Sequence, residues 1–202
     1  KIASDFSKKN NCVKFFDAGD VQANGFQIVE DDLPYQTITE TGASYMGFSP
    51  SAILASAIAD KPTYPISFVG DGSFVMNPQV LIDAVYFGLK GMVIIFDNRR
   101  MAAITGLQYA QYDKEFKTND GVEVDYVSMA NSVKGVRGFF GGHSKDELNK
   151  ALTDGFSYKG LSVIHVPVYS GTHELGGMGA YGSWNVGNWC EDVQDKYFKQ
   201  KI

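Results

Sequence analysis

Short apolar runs alternate with amphipathic stretches along this chain. The runs at 13–16, 36–39, 65–69, 92–96, 136–140 and 161–166 are rich in β-branched and aromatic residues, and each predicts a strand. Residues 92–96 (Met-Val-Ile-Ile-Phe) are apolar without interruption, as a parallel strand covered on both faces should be. Between the strands lie helical signals. Ser49-Pro50 reads as an N-cap followed by a first-turn proline, opening a helix through 53–59 that is apolar nearly all round and hence buried. A second helix starts at Asn77-Pro78, carries Leu81, Ala84, Val85 and Leu89 on one face and is closed by Gly91. Asp125 caps a short helix through Val127, Ala130 and Val133 that Gly135 stops; Ser144 and Glu147 form a capping box ahead of Leu148, Ala151, Leu152 and Phe156. Residues 99–124 read as irregular and polar. The rhythm predicts an α/β fold: a mostly parallel central sheet with helices on both faces.

Length and composition narrow this further. At 202 residues the chain is one domain or slightly more, and 44% apolar with 20% charged residues is an ordinary globular balance. A formal charge of −5 argues against a nucleic-acid surface. No apolar run approaches the roughly 18 residues of a membrane span, and no signal-peptide core is present at the start. Cys12 and Cys190 alone cannot build a disulfide framework or an internal iron–sulfur cluster, so a reducing, cytoplasmic setting is the expectation. Glycine, 22 of 202 residues, exceeds the usual ~7% and implies tight turns and close backbone approaches. The organisation expected is a domain over 1–170 and a Gly- and aromatic-rich tail over 171–202 that contains Trp184 and Trp189.

Two of the strand ends carry unusual chemistry. In open α/β sheets ligands bind beyond the carboxyl ends of the strands. Here one end reads Gly70-Asp71-Gly72-Ser73 and the next Asp97-Asn98. Asp71 and Asn98 offer hard oxygens, while the glycines let the N–H groups of Gly72 and Ser73 approach an anion. Carboxylate, amide oxygen and backbone donors together suit Mg²⁺ carrying a di- or triphosphate.

Gly70-Asp71-Gly72, then 25 residues (73 to 97), then Asn98 resembles the signature of thiamin diphosphate-dependent enzymes, and the resemblance to their diphosphate-binding domain covers roughly residues 10–170. The segment 71–77 (Asp-Gly-Ser-Phe-Val-Met-Asn) is similar to acetohydroxyacid synthases and related 2-oxo acid decarboxylases. Residues 97–108, and Thr41-Gly42-Ala43-Ser44, are instead similar to the indolepyruvate:ferredoxin oxidoreductase branch. Where the family has an Asn-Asn pair this chain has Asp97-Asn98, which keeps the metal ligand.

The resemblance implies particular roles. Asp71 and Asn98 give side-chain oxygens to Mg²⁺ and Arg100 a backbone carbonyl; Gly70, Gly72, Ser73 and the turn after Asn98, with Met101, hold the diphosphate. Met46, placed 25 residues before Asp71, is the bulky residue that bends the cofactor, and the Ser44 carbonyl accepts from its 4′-amino group. It further implies that the activating carboxylic acid comes from a separate pyrimidine-binding domain, of the same or a partner chain. No catalytic residue is therefore expected in this chain, which begins with Lys1 and reads as a piece of a longer protein or a small subunit. The expected setting is a homo-oligomer acting on a small 2-oxo acid by decarboxylation or carboligation, or else a 2-oxo acid:ferredoxin oxidoreductase, or a non-catalytic cofactor-binding module.

Blander readings compete at several positions. A dinucleotide fingerprint fails because its third small residue would fall on Val75 and because the next helix is expected only at Asn77-Pro78. A P-loop fails for want of Gly-Lys-Ser/Thr. Arg99 and Arg100 read as solvated side chains, His165 as a packed strand histidine and His143 as a surface residue. His173, Gln108 and Asp20 are candidates to face substrate.

Overall fold

The computed structural model describes residues 1–118 and 121–168; the expected tail and His173 lie outside them. Two compact units are distinguished, residues 1–98 with 123–168, and a second whose described part is 99–118 and 121–122.

The first unit is built on six strands, all parallel: β1 (Val13–Phe16), β2 (Thr37–Thr39), β3 (Pro65–Gly70), β4 (Gly91–Asp97), β5 (Val136–Phe140) and β6 (Leu161–Pro167), ordered β2-β1-β3-β4-β6-β5. All six coincide with the expected runs. Alternation along the strands fills two cores, one on each face. Val69, Val93, Ile95 and Val163 point to one side, with Phe74, Leu81 and Tyr126. Ile66, Phe68, Met92, Ile94 and Ile164 point to the other, with Ala3, Ala151 and Leu152. Each full burial of such a side chain contributes about 1.5–3 kcal/mol. Lys14, mid-strand in β1, is fully buried; its ammonium meets Asp31 Oδ1 at 2.6 Å as an ion pair, at an angle outside hydrogen-bond geometry.

The helices depart more from expectation. Two unannounced ones flank β1: α1 (Ile2–Lys9) and α2 (Asp20–Ile28). Gly25 lets α2 lie on the sheet, because a Cβ there would strike the Phe16 ring. The helix expected behind a Ser49 cap starts two residues earlier, as α3 (Phe48–Ala52), and breaks before α4 (Ala55–Ile58). Gly47, at φ 89°, is its N-cap instead of Ser49, and Ile58 is 72% exposed, so the segment is not buried all round. A single turn, α5 (Asp71–Phe74), follows β3 directly, earlier than the helix expected at Asn77-Pro78; the objection to a dinucleotide fingerprint then rests on Val75 alone. Next comes α6 (Val80–Tyr86), which buries Leu81 and Ala84 and leaves Val85 43% exposed; Gly88 (φ 67°) follows its C-cap Phe87, while Gly91, the expected stop, opens β4.

The second unit contains α7 (Ala102–Tyr112), within a stretch that reads as irregular. Back in the first unit, α8 (Tyr126–Asn131) has the expected Asp125 cap, with Ser128 N–H donating to Oδ1 at 2.8 Å, and Gly135 follows at φ 99°. For α9 (Lys145–Ser157), Glu147 N–H donates to Ser144 Oγ at 3.3 Å. Glu147 Oε2 in turn accepts from His143 N–H and from the Ser144 hydroxyl, a variant of the reciprocal box. No helix among the described residues is long and apolar enough to cross a membrane.

Candidate functional site

The chain reverses direction across the sheet between β1 and β3: β2 is added on one side of β1, and β3 on the other. A reversal of this kind opens a crevice at the carboxyl ends of the strands, the usual ligand position in open α/β sheets. The tips of β1, β3 and β4 are Asp17, Asp71 and Asp97-Asn98.

Register fixes how the β3 and β4 tips relate. Gly70 pairs with Phe96, so Asp71 and Asn98 stand one and two residues beyond a shared rung. Asp71 is the first residue of α5 and only 8% exposed; Asn98 is half-buried. The structure thus brings these two expected ligands to neighbouring tips. Gly70 closes β3, and Gly72 and the buried Ser73 lie in the single turn of α5.

The β4 tip is anchored to β6. Val168 N–H donates to the Asp97 carbonyl at 2.9 Å, and His165 Nε2 lies 2.8 Å from Asp97 Oδ2. His165 is packed, as expected, edge-on against the Tyr126 and Phe140 rings, and it also pairs with a buried carboxylate.

The loop carrying Ser44 and Met46 is organised by carboxylates. Glu40 collects backbone N–H groups from Gly42, Ala43 and Tyr45. These donors, Ala43 foremost, hold its carboxyl below the ordinary 4.5. Ser44 is exposed with φ 51°, and its hydroxyl donates to Gln22 Oε1 at 3.3 Å. Gln22 donates in turn to Thr39 Oγ1 and the Glu40 carbonyl. Met46 is half-buried, and immediately after it Gly47 and Ser49 N–H donate to Asp17 at 3.0 and 2.6 Å. Asp17 and Gln22 do not stand out in the sequence. The available signal for Asp17 was its place as the first residue beyond an apolar strand.

In the second unit, Arg100 is not a solvated charge. Its guanidinium pairs with Glu115 at 3.0 Å and donates to Thr105 Oγ1, with the side chain 8% exposed, so only its carbonyl remains a candidate ligand. Met101 is the N-cap residue of α7, 37% exposed, and its N–H donates to the Thr118 carbonyl. Gln108 accepts the Phe116 N–H at 2.7 Å and so closes a local loop. In the first unit Asp20 opens α2, and His143 is exposed. Cys12 is buried, which pushes its thiol up to about 12. Concavity by itself does not mark the site: an open cleft of about 650 Å³ lined by Asn131, Lys134, Arg137 and Tyr158 adjoins the start of β5, not the strand tips.

Residues 17–166 match the family described as "Thiamine pyrophosphate enzyme, C-terminal TPP binding domain". The chain belongs to this family. Curated proteins similar to the chain are named 3D-(3,5/4)-trihydroxycyclohexane-1,2-dione hydrolase. That of Bacillus subtilis (strain 168) is 30% identical over 173 residues, 83% of this chain and 26% of the relative. That of Lacticaseibacillus casei is 31% identical over 177 residues, 84% of this chain and 26% of the relative. The chain therefore spans about a quarter of the length of the curated relatives it matches. Its fold is shared with the benzoylformate decarboxylase of Polynucleobacter necessarius (TM-score 0.73, 18% identity, 84% of this chain and 32% of that one). A thiamine diphosphate-dependent 4-hydroxybenzoylformate decarboxylase of Rhodococcus jostii RHA1 gives 0.72 and 17%, with the same coverage. The family's description names thiamine pyrophosphate binding, the cofactor that the resemblance carried by Gly70-Asp71-Gly72 and Asn98 implied.

Proposed function

We propose that this chain holds thiamin diphosphate through Mg²⁺ and forms the diphosphate-binding part of an enzyme that breaks or makes the bond beside a substrate's keto carbon, as in decarboxylation or carboligation of a 2-oxo acid. The observation that carries this reading is the register of β3 and β4, which sets Asp71 and Asn98 one and two residues past the Gly70–Phe96 rung. The donor set suits the ion: a largely buried carboxylate and an amide oxygen are hard ligands of the kind Mg²⁺ takes while sharing its shell with phosphate. When bound, the cofactor supplies a nucleophilic carbon and an electron sink for that bond. The chain's own residues do the holding. Asp71 and Asn98 would hold the ion, the Gly72 and Ser73 N–H groups would face the diphosphate, and Ser44 and Met46 the bent middle and the pyrimidine; the Arg100 carbonyl and Met101, in the second unit, remain ligands that the resemblance implies.

Activation of the pyrimidine is assigned to a carboxylic acid on a pyrimidine-binding domain, of the same or a partner chain in a homo-oligomer, so that residues 1–202 alone turn nothing over. The exposed Met76, Ile82, Tyr86 and Phe87 fit a surface covered in such an assembly. A second reading is favoured by the hydrolase relatives: a cyclic 1,2-dione, like a 2-oxo acid, places a carbonyl beside a second carbonyl carbon, and its ring bond would be the one cleaved. Assay of the full-length protein with 2-oxo acids and with cyclic 1,2-diones separates the two.

The binding site is tested by titrating the full-length protein with thiamin diphosphate, with Mg²⁺ and with chelator. Asp71→Ala and Asn98→Ala are each expected to weaken Mg²⁺-dependent binding about tenfold or more. Unchanged binding in both variants would overturn the assignment.

A further inference from the structure

Asp17 is a carboxylate with no accessible surface at the tip of β1, and nothing in the proposed chemistry uses it. Its N–H continues the ladder, donating to the Phe68 carbonyl at 2.9 Å, so the residue is fixed to β3. Both of its side-chain oxygens are turned towards the connection between β2 and β3: Oδ1 accepts the Gly47 N–H at 3.0 Å and Oδ2 the Ser49 N–H at 2.6 Å. Ser49 adds a third tie, its hydroxyl lying 2.7 Å from Ser67 Oγ within β3. Gly47 holds φ 89°, a backbone state that a side chain would strain, and this is the geometry that turns its N–H and that of Ser49 onto one carboxylate. The backbone directly after Met46 is therefore fastened to two strands of the sheet.

We propose that Asp17 is a positioning residue for thiamin diphosphate: it clamps residues 47–49 so that Met46 is held ready for the cofactor's bend before the cofactor arrives. The inference rests on the reading of Met46 given above. A carboxylate is suited to this because it accepts at both oxygens. Without it, two buried donors lose their partner, which costs more than a hydrogen bond contributes when made. A preset loop also spares the ordering cost at binding, so its benefit falls on affinity.

The test uses the full-length protein carrying Asp17→Asn, which keeps one acceptor oxygen and sets an NH₂ against the other donor. Two ligands are titrated in the presence of Mg²⁺: thiamin diphosphate, and pyrophosphate, which lacks the part that meets Met46. Thiamin diphosphate affinity is expected to fall about tenfold or more while pyrophosphate affinity stays within about twofold. Adding Met46→Ala to Asp17→Asn should then cost little further. Equal losses for both ligands, or no loss for either, overturn the clamp. If the wild-type protein itself fails to bind thiamin diphosphate, the functional reading falls and the clamp with it; unchanged binding by Asp17→Asn beside a binding wild type removes the clamp alone. Should Asp17→Asn not fold, hydrogen exchange in the cofactor-free wild-type protein decides. The Gly47 and Ser49 amides are expected to be protected there, and free exchange at both overturns the proposal.

Discussion

Glu40 shows how much of the loop before Met46 depends on one side chain. Its carboxylate is held by N–H groups of Ala43, Gly42 and Tyr45, which keep its carboxyl below the ordinary 4.5. A carboxyl lowered on folding stabilises the fold above its unfolded value, and that contribution is lost as pH falls through the lower, folded value. Glu40→Gln should therefore speed hydrogen exchange at residues 42–45 relative to wild type at pH 7, and the difference should fade on acidification below about 4.5. A difference that persists in acid would show that charge is not what orders the loop. At this scale legibility was uneven. Asp71 and Asn98 were found because a chemical type recurs at a set separation, which one dimension records. Asp17 and Gln22 act on backbone groups 18 to 32 residues away and Glu40 on neighbours two to five residues on, and no local pattern marks a side chain whose partners are backbone groups.

Strands were the legible elements. Residues 92–96 are apolar without a break, and 161–166 are broken only by Ser162 and His165, because both faces of the sheet are covered, and such apolarity survives in a sequence whatever packs on it. Helices were less so: α1, α2, α5 and α7 were not legible. In α7, Gly106 interrupts an otherwise plausible run and no side chain caps its start; in α2, Gly25 argues against a helix locally and is required globally by the Phe16 ring. Ser49 was misread as a cap because its N–H and hydroxyl find partners across space, on Asp17 and Ser67. Close approach between elements can be tested at two glycines. A Cβ on Gly138 in β5 would meet the Val127 carbonyl oxygen of α8 at 2.6 Å, and backbone cannot yield cheaply. In α9, a Cβ on Gly155 would meet Ile164 Cδ1 at 2.9 Å and Met92 Cε at 3.2 Å, both ends of flexible side chains. Gly138→Ala should cost about 2–3 kcal/mol in urea unfolding, and Gly155→Ala less, since helix propensity returns up to about 1 kcal/mol. Equal costs would show that β5 and α8 separate more easily than their packing implies.

For the whole molecule, the cofactor is expected to act as a stabiliser through linkage. A ligand that binds the folded state alone, present at about 100 times its dissociation constant, adds about 2.7 kcal/mol. Thiamin diphosphate with Mg²⁺ should raise the melting temperature of the full-length protein, chelator should abolish the gain, and Asp71→Ala should cut it, to about 1.4 kcal/mol or less for a tenfold or greater loss of affinity. A gain that survives chelator would separate the metal from binding. Within the first unit the candidate residues run from 17 to 98 in the chain, and what joins the strand tips that carry them is the sheet itself. Neighbouring parallel strands stand about 4.8 Å apart, a spacing that lets side chains from two adjacent tips reach towards one small ligand. Ladder-paired β3 and β4 thus act as a ruler: the gap between their ends is set by peptide geometry, and the helices that link them are free to drift in sequence without changing that measure.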